Sequence, residues 1–372
     1  MKAPTKPSFK KTATALAFGI AASFSAQAAE ELNFYNWSDY IAEDTIPTFE
    51  KNTGIKVTND VFDSNEVLEA KMLAGNAGYD IVVPSSTFMA RQIQAGVFQE
   101  LDKSKIPNYK GLDKGLMKTL AKLDPDNKHG IPYLWGTTGI GYNVKLVEKY
   151  LGKDAPVDSW DLVFKPENLA KLKECGVSFL DSADEIYPLA LNYVGADPSS
   201  QNAADYKESS KAAQLLKSVR PSITQFHSSQ YINNLANGDI CVAIGWSGDI
   251  LQAMDRADEA ENGVEIAYTI PVEGTSVWFD MLTLPKDAKN ADNAYKFINY
   301  LLEPKVMAGI SNYVWYPNAV PASKALLDEE ISSNPSIYPS AAVQDKLFPL
   351  TVYSPKISKL MTRFWANLKA GR

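Results

Sequence analysis

The sequence is short of the residues that most catalytic and metal centres use. Only two histidines occur in 372 residues, His129 and His227, and their separation leaves no His-rich spacing for a zinc site. Only two cysteines occur, Cys175 and Cys241. The segment GWSGD, residues 245–249, misses the nucleophile elbow because its second glycine follows the serine directly. The stretch GTTGIGYNV, residues 136–144, lacks the third glycine of a dinucleotide fingerprint. No heptad run, tandem repeat or low-complexity tail is present. Past residue 28 no stretch is apolar enough to span a bilayer. These absences argue against a metal centre, a bound cofactor and the commoner enzyme classes.

What is present begins with a leader. Lys2, Lys6, Lys10 and Lys11 precede the apolar run ATALAFGIAASFSA, and Ala26-Gln27-Ala28 fits a small-x-small cleavage site, so residues 1–28 read as a cleaved secretory signal. The run is shorter than the roughly 20 residues a membrane span needs, and without a leader cysteine no lipid can be attached at the cleavage site. The remainder is expected free in an extracytoplasmic space, where Cys175 and Cys241 read as a disulfide; two buried thiols are the alternative. The formal charge of −7 becomes −11 once the four leader lysines are removed. Such an acidic surface disfavours nucleic acid and anionic lipid and favours encounter with cations, although solubility alone would also account for it.

Length suggests two domains. ELNFYNW, IKVTNDVF and YDIVVPS read as strands alternating with helices over IAEDTIPTFEKNTG and NEVLEAKMLAGNAG. GVSFLDS, ICVAIGWSGD, VEIAYTIP and SVWFDMLTLP are later strands, and YINNLANGD, ILQAMDRADEAENG and DNAYKFINYLL are later helices. The alternation predicts parallel α/β sheets, in which ligands bind beyond the carboxyl ends of the strands. The Gly-rich stretch at 136–144 is where the chain is expected to cross between lobes.

An aromatic beside a carboxylate recurs at three strand ends. Trp37 precedes Asp39, Trp246 precedes Asp249, and Trp278 precedes Asp280. An organic ammonium suits that pairing, because a desolvated cation over an indole face is stabilised by about 2 kcal/mol and a buried carboxylate takes up its donors. Each piece also has an ordinary reading. Trp37 and Tyr316 would serve as core packing, Ser38, Asp39 or Asp249 as helix caps, and Glu185 as a solvated surface acid. Paired acids with tryptophans would equally serve a glycoside hydrolase. The coincidence of three pairs favours a polycation.

The blocks NFYNWSDYI, YDIVVPSS, YLWGTTGIGYNV, FHSSQYINNLANGDICVAIGWSGD and VWFD resemble the periplasmic polyamine-binding proteins of ABC importers, across nearly the whole chain after the leader. The resemblance implies a type II periplasmic-binding-protein fold: two α/β lobes, each a mostly parallel sheet flanked by helices, with the ligand trapped between them. Residues 29–137 with 279–314 would form one lobe, and 138–278 with 315–372 the other. Matched motif by motif, it implies a binding set of Trp37, Ser38, Asp39, Tyr40, Ser85, Glu185, Ser228, Trp246, Asp249, Trp278, Asp280 and Tyr316. It further implies a non-enzymatic, monomeric carrier of putrescine or spermidine in the periplasm that delivers its load to an inner-membrane permease. The family has Trp or Phe at the position of Trp278, and tryptophan there implies a preference for spermidine.

Overall fold

A computed structural model of the chain describes Met1 and residues 30–371. The signal expected over residues 1–28 lies, Met1 apart, outside the described residues. Ten strands form: β1 Glu31–Trp37, β2 Lys56–Phe62, β3 Ile81–Val82, β4 Gly130–Asn143, β5 Val177–Phe179, β6 Gln225–Phe226, β7 Val242–Trp246, β8 Ile266–Thr269, β9 Ser276–Thr283 and β10 Phe348–Pro349. Their order is β2-β1-β3-β9-β4-β7-β5-β6, with β10 paired to β9 and β8 to β4. Each end of this array is parallel: β1 lies between β2 and β3, and β5 between β6 and β7. The strands joining the two ends, β9 and β4, run antiparallel to their neighbours on the path.

The crossing expected at 136–144 is there, as strand and not as loop. The first half of β4 pairs with β9, from Gly130↔Thr283 to Thr137↔Val277, and its second half pairs with β7, from Thr138↔Trp246 to Tyr142↔Val242. The glycines allow close approach: a Cβ on Gly141 would fall 2.7 Å from the Ile250 side chain. One strand, with a register shift between Pro132 and Trp135, thus belongs to both sheets.

Two cores lie on either side of this crossing. The first packs Phe34, Phe49 and Phe297 edge to face, with centroids 5.3 and 4.9 Å apart. The second is built round Trp160, Phe164, Phe179 and Tyr187 and is closed by the helix Pro355–Lys369, which contributes Met361, Phe364 and Trp365. A boundary at 314/315 would put Tyr316, Ala319 and Val320 in the second lobe, yet their side chains pack in the first core. The reason is local. Trp315 takes a left-handed conformation (φ 60°) at the end of helix Pro304–Val314 and turns the chain back across β4, where Leu134 and Asn318 form a bridge.

Cys175 and Cys241 are joined in a disulfide with Cα atoms 5.4 Å apart, tying the approach to β5 to that of β7. The loop it closes is long, with a sequence separation of 66. Reduction and alkylation are expected to lower unfolding stability by about 2–4 kcal/mol, read from urea midpoints with and without reductant. An unchanged midpoint would mean that the bridge constrains nothing the fold does not already hold.

Candidate functional site

Beyond the carboxyl end of β1 the chain turns sharply. Trp37 ends the strand and its indole Nε1 donates to the Val83 carbonyl at 2.8 Å, which fixes the ring against the first lobe. Asp39 then adopts φ 54°, and this reversal sends Ser38 and Tyr40 inward and the Asp39 carboxylate outward. Asp39 lies 2.6 Å from Arg256 with about one-third of each side chain exposed. It does not line the cavity, which corrects its expected role as a ligand carboxylate. Nor does Ser38 or Asp39 cap the next helix, which begins at Thr45.

The other eleven expected residues line one cavity: Trp37, Ser38, Tyr40, Ser85, Glu185, Ser228, Trp246, Asp249, Trp278, Asp280 and Tyr316. Trp37, Tyr40, Trp278 and Tyr316 belong to the first core, Trp246 packs against both, and Glu185 and Asp249 stand on helices that contribute to the second core, so the cavity sits between the lobes. Among the described residues no lysine or arginine lines it.

Its walls are a chain of edge-to-face aromatics. Trp37 meets Trp246 at 5.5 Å, Trp246 meets Trp278 at 6.4 Å, Trp278 meets Tyr316 at 5.4 Å, and Tyr316 meets Tyr40 at 5.1 Å. Each edge-to-face contact sets the positive edge of one ring on the negative face of its neighbour, and a ring face not covered in this way can receive a cation.

Three carboxylates are buried in this enclosure. Asp280 accepts from Ser85 Oγ at 2.6 Å and Tyr40 Oη at 2.9 Å. Ser85 is itself held by Asn65, whose Nδ2 donates to Ser85 Oγ and whose Oδ1 accepts from the Ser85 backbone N–H. Glu185 accepts from Thr138 Oγ1 at 2.8 Å. Asp249 accepts from Tyr231 Oη and Tyr316 Oη, both at 2.7 Å. It occupies the first turn of helix Ser247–Glu259 and is not a cap, and Glu185 occupies the first turn of Ala183–Tyr193. Loss of hydration on burial pushes Glu185 up to about 8 and Asp249 and Asp280 up to about 7, against which their hydroxyl donors pull down. The sign is what an acid-lined site with no built-in cation requires.

Sequence reasoning missed Asn65, Thr138 and Tyr231. None lies beside a tryptophan–aspartate pair; each acts from behind the wall, where only side-chain contacts reveal it. Gly248, inside the Trp246–Asp249 pair, matters for its lack of a side chain, because a Cβ there would fall 2.5 Å from the Tyr316 ring. Gly248→Ala is expected to displace Tyr316 at a cost of about 1–3 kcal/mol in ligand affinity. Calorimetry on the variant would show this, and equal affinity would mean that the ring has room to move.

Comparison with known proteins bears on the whole chain. The model of the family described as bacterial extracellular solute-binding protein matches residues 45–339. The putrescine-binding periplasmic protein PotF of Escherichia coli is 58% identical over 355 residues, covering 95% of each chain. The putrescine-binding periplasmic protein SpuD of Pseudomonas aeruginosa is 54% identical, covering 98% of this chain and 99% of its own. Among solved structures, a putative spermidine/putrescine ABC transporter protein from Listeria monocytogenes superposes with a TM-score of 0.81 at 33% identity, covering 92% of this chain and all of that one. A two-lobed α/β frame, an acid-and-aromatic cavity between the lobes and a family match across most of its length place the chain among the bacterial extracellular solute-binding proteins, with the type II periplasmic-binding-protein fold.

Proposed function

We propose that this protein captures a polyamine in the periplasm, closes its lobes over it and delivers it, as a monomer, to an ABC importer. The observation that carries the reading is the pairing of three buried carboxylates with a continuous aromatic wall and no lining cation. In this reading Asp249, Asp280 and Glu185 neutralise the ammonium groups, and Trp37, Trp246, Trp278, Tyr40 and Tyr316 enclose the methylenes. Each methylene removed from water adds about 0.8 kcal/mol. Ser38 and Ser228 complete the wall, from the turn after β1 and from the turn before helix Tyr231–Ala236. The names of the two relatives at 58% and 54% identity support a diamine, and the periplasmic location they carry supports the secretory leader.

Closure has physical contacts. Ser38 Oγ and Ser229 Oγ lie 3.4 Å apart across the lobes, Arg91 joins Glu69 of one lobe to Asp184 of the other, and Asp39 joins Arg256. A ligand touching both sides favours this closed arrangement by its differential contacts.

The glycoside-hydrolase alternative gains no support. A glycosidase needs two carboxyls whose environments push their pKa values apart, whereas all three acids here move in the same direction. A carrier of basic amino acids needs a cationic group facing the ligand carboxylate, and no lysine or arginine lines the cavity.

Calorimetric titration of refolded protein, first with putrescine and then with spermidine, is the direct test. Saturable one-to-one binding of either supports the reading, and no heat and no thermal shift with both would sink it. The two affinities also decide between opposite expectations, since Trp278 favours spermidine while the names of PotF and SpuD favour putrescine. Trp278→Phe is expected to shift the ratio toward putrescine, and an unchanged ratio would remove Trp278 as the discriminating residue.

A further inference from the structure

GWSGD, which imitates a nucleophile elbow, has a different physical use. The glycines at 245 and 248 are slots for two tyrosines. A Cβ on Gly245 would lie 2.5 Å from the Tyr231 ring, and one on Gly248 would lie 2.5 Å from the Tyr316 ring. Each ring crosses the start of helix Ser247–Glu259 with its hydroxyl at Asp249.

We infer that Tyr231, which lies behind the cavity wall, is a positioning residue that holds the Asp249 carboxylate in its ligand-accepting form, acting with Tyr316 through two parallel hydrogen-bond relays. The inference deepens the polyamine reading and rests on it. Tyr231 is fully buried and is not among the lining residues. Its Oη accepts the Trp246 backbone N–H at 3.1 Å and donates to Asp249 Oδ2 at 2.7 Å. Tyr316 repeats the arrangement on the other oxygen. Its Oη accepts the backbone N–H of Asp249 itself at 3.1 Å and donates to Oδ1 at 2.7 Å.

A phenol carries one proton. With each tyrosine oxygen already accepting an amide hydrogen, its own proton points at the carboxylate. Both Asp249 oxygens therefore receive a hydrogen bond from the protein while keeping lone pairs for an ammonium. A carboxylate oxygen is a much stronger acceptor than the hydroxyl oxygen of a protonated carboxyl, so the two hydrogen bonds donated by the relays favour the ionised form. They act against burial, the largest influence on Asp249, and against the like charges of Asp39 and Asp280. The charge of Arg256, which pairs with Asp39, acts in the same sense as the relays, and Tyr40 is a further titratable neighbour.

The test is Tyr231→Phe, which keeps the ring and removes only the hydroxyl. Putrescine is titrated into wild type and variant between pH 6 and 9, and thermal unfolding of both unliganded proteins is followed over the same range. At pH 7 the variant is expected to bind about tenfold more weakly, the effect of one hydrogen bond to a charged group. The deficit should shrink at pH 9, and the unliganded Tm difference from wild type should change with pH as Asp249 titrates at a higher midpoint. Equal affinity at every pH, or a deficit and Tm offset that do not vary with pH, would overturn the relay and leave Tyr231 as wall packing. Absence of binding by wild type would overturn the polyamine reading, and the inference with it; wild-type binding with no pH-dependent effect of the variant overturns the relay alone.

Discussion

Asp280→Asn lowers putrescine affinity by about 3–5 kcal/mol, the cost of removing one partner from a buried ion pair. Asparagine keeps the shape, and its single oxygen still accepts from one of the two hydroxyls, Ser85 or Tyr40. What it loses is the charge facing the cation. Its amide nitrogen also presents donors where Asp280 presented only acceptors, toward a hydroxyl or an ammonium that is itself a donor. Ser85 cannot easily reorient, because Asn65 holds it from two sides.

The same substitution is expected to act on the unliganded protein with the opposite sign. Asp280 is 3% exposed and its charge is penalised by burial, so a neutral side chain there removes a cost that the unliganded fold bears. Titration calorimetry and thermal unfolding at pH 8 should therefore diverge, with affinity falling and unliganded Tm rising. A variant that loses both would mean that Asp280 is a structural carboxylate. One that keeps its affinity would remove Asp280 from the site.

The frame of the site was legible because strand ends converge by rule. Trp37 and Trp246 close β1 and β7, and the α/β alternation places those ends at one crevice. Trp278 and Asp280, expected at a strand end, lie instead within β9, which is antiparallel to β3 and β4 and reaches the crevice as it crosses between the lobes. Asp39 was misread because spacing fixes which residues follow a strand and leaves open the hand of the turn. One residue at φ 54° exchanges inward for outward. The crossing was legible as a place, since glycines allow close approach, but its form depended on pairing partners 100 or more residues away in the chain, β7 and β9. Tyr231 and Asn65 were not legible at all. Their role lies in which atom they face, and nothing in a linear pattern distinguishes a tyrosine that packs from one that donates to a buried acid.

Unliganded stability and ligand affinity are expected to move in opposite directions with pH. Glu185 rises from 4.5 to about 8, and Asp249 and Asp280 from 3.8 to about 7, because burial disfavours their charged forms. Between about pH 4 and pH 8 the folded protein thus holds more protons at these groups than the unfolded chain does. Stability from them is fully present at the acid end and is lost as pH rises through the folded values. A tenfold change in a carboxyl's proton affinity corresponds to about 1.36 kcal/mol, so the effect is large even if opening of the lobes relieves part of it by rehydrating the acids. Surface carboxylates such as Glu50, drawn down by the Val57 N–H and Lys56, pull the other way, so the signal is the difference between wild type and Glu185→Gln. A dication reverses the preference, since it binds the ionised acids and must expel whatever protons they hold. Affinity should therefore climb from pH 5 to about 8 and level off, with net proton release near pH 6 when heats are compared in two buffers of different ionisation enthalpy. A flat affinity profile with no proton release would mean that the acids are already ionised without ligand. In that event burial would not set their protonation, and closure would have to be driven by contacts alone. If release is found, the acids themselves couple ligand to closure: ionised and unpaired they favour the open, hydrated cleft, and a cation between them makes the closed one the lower in free energy.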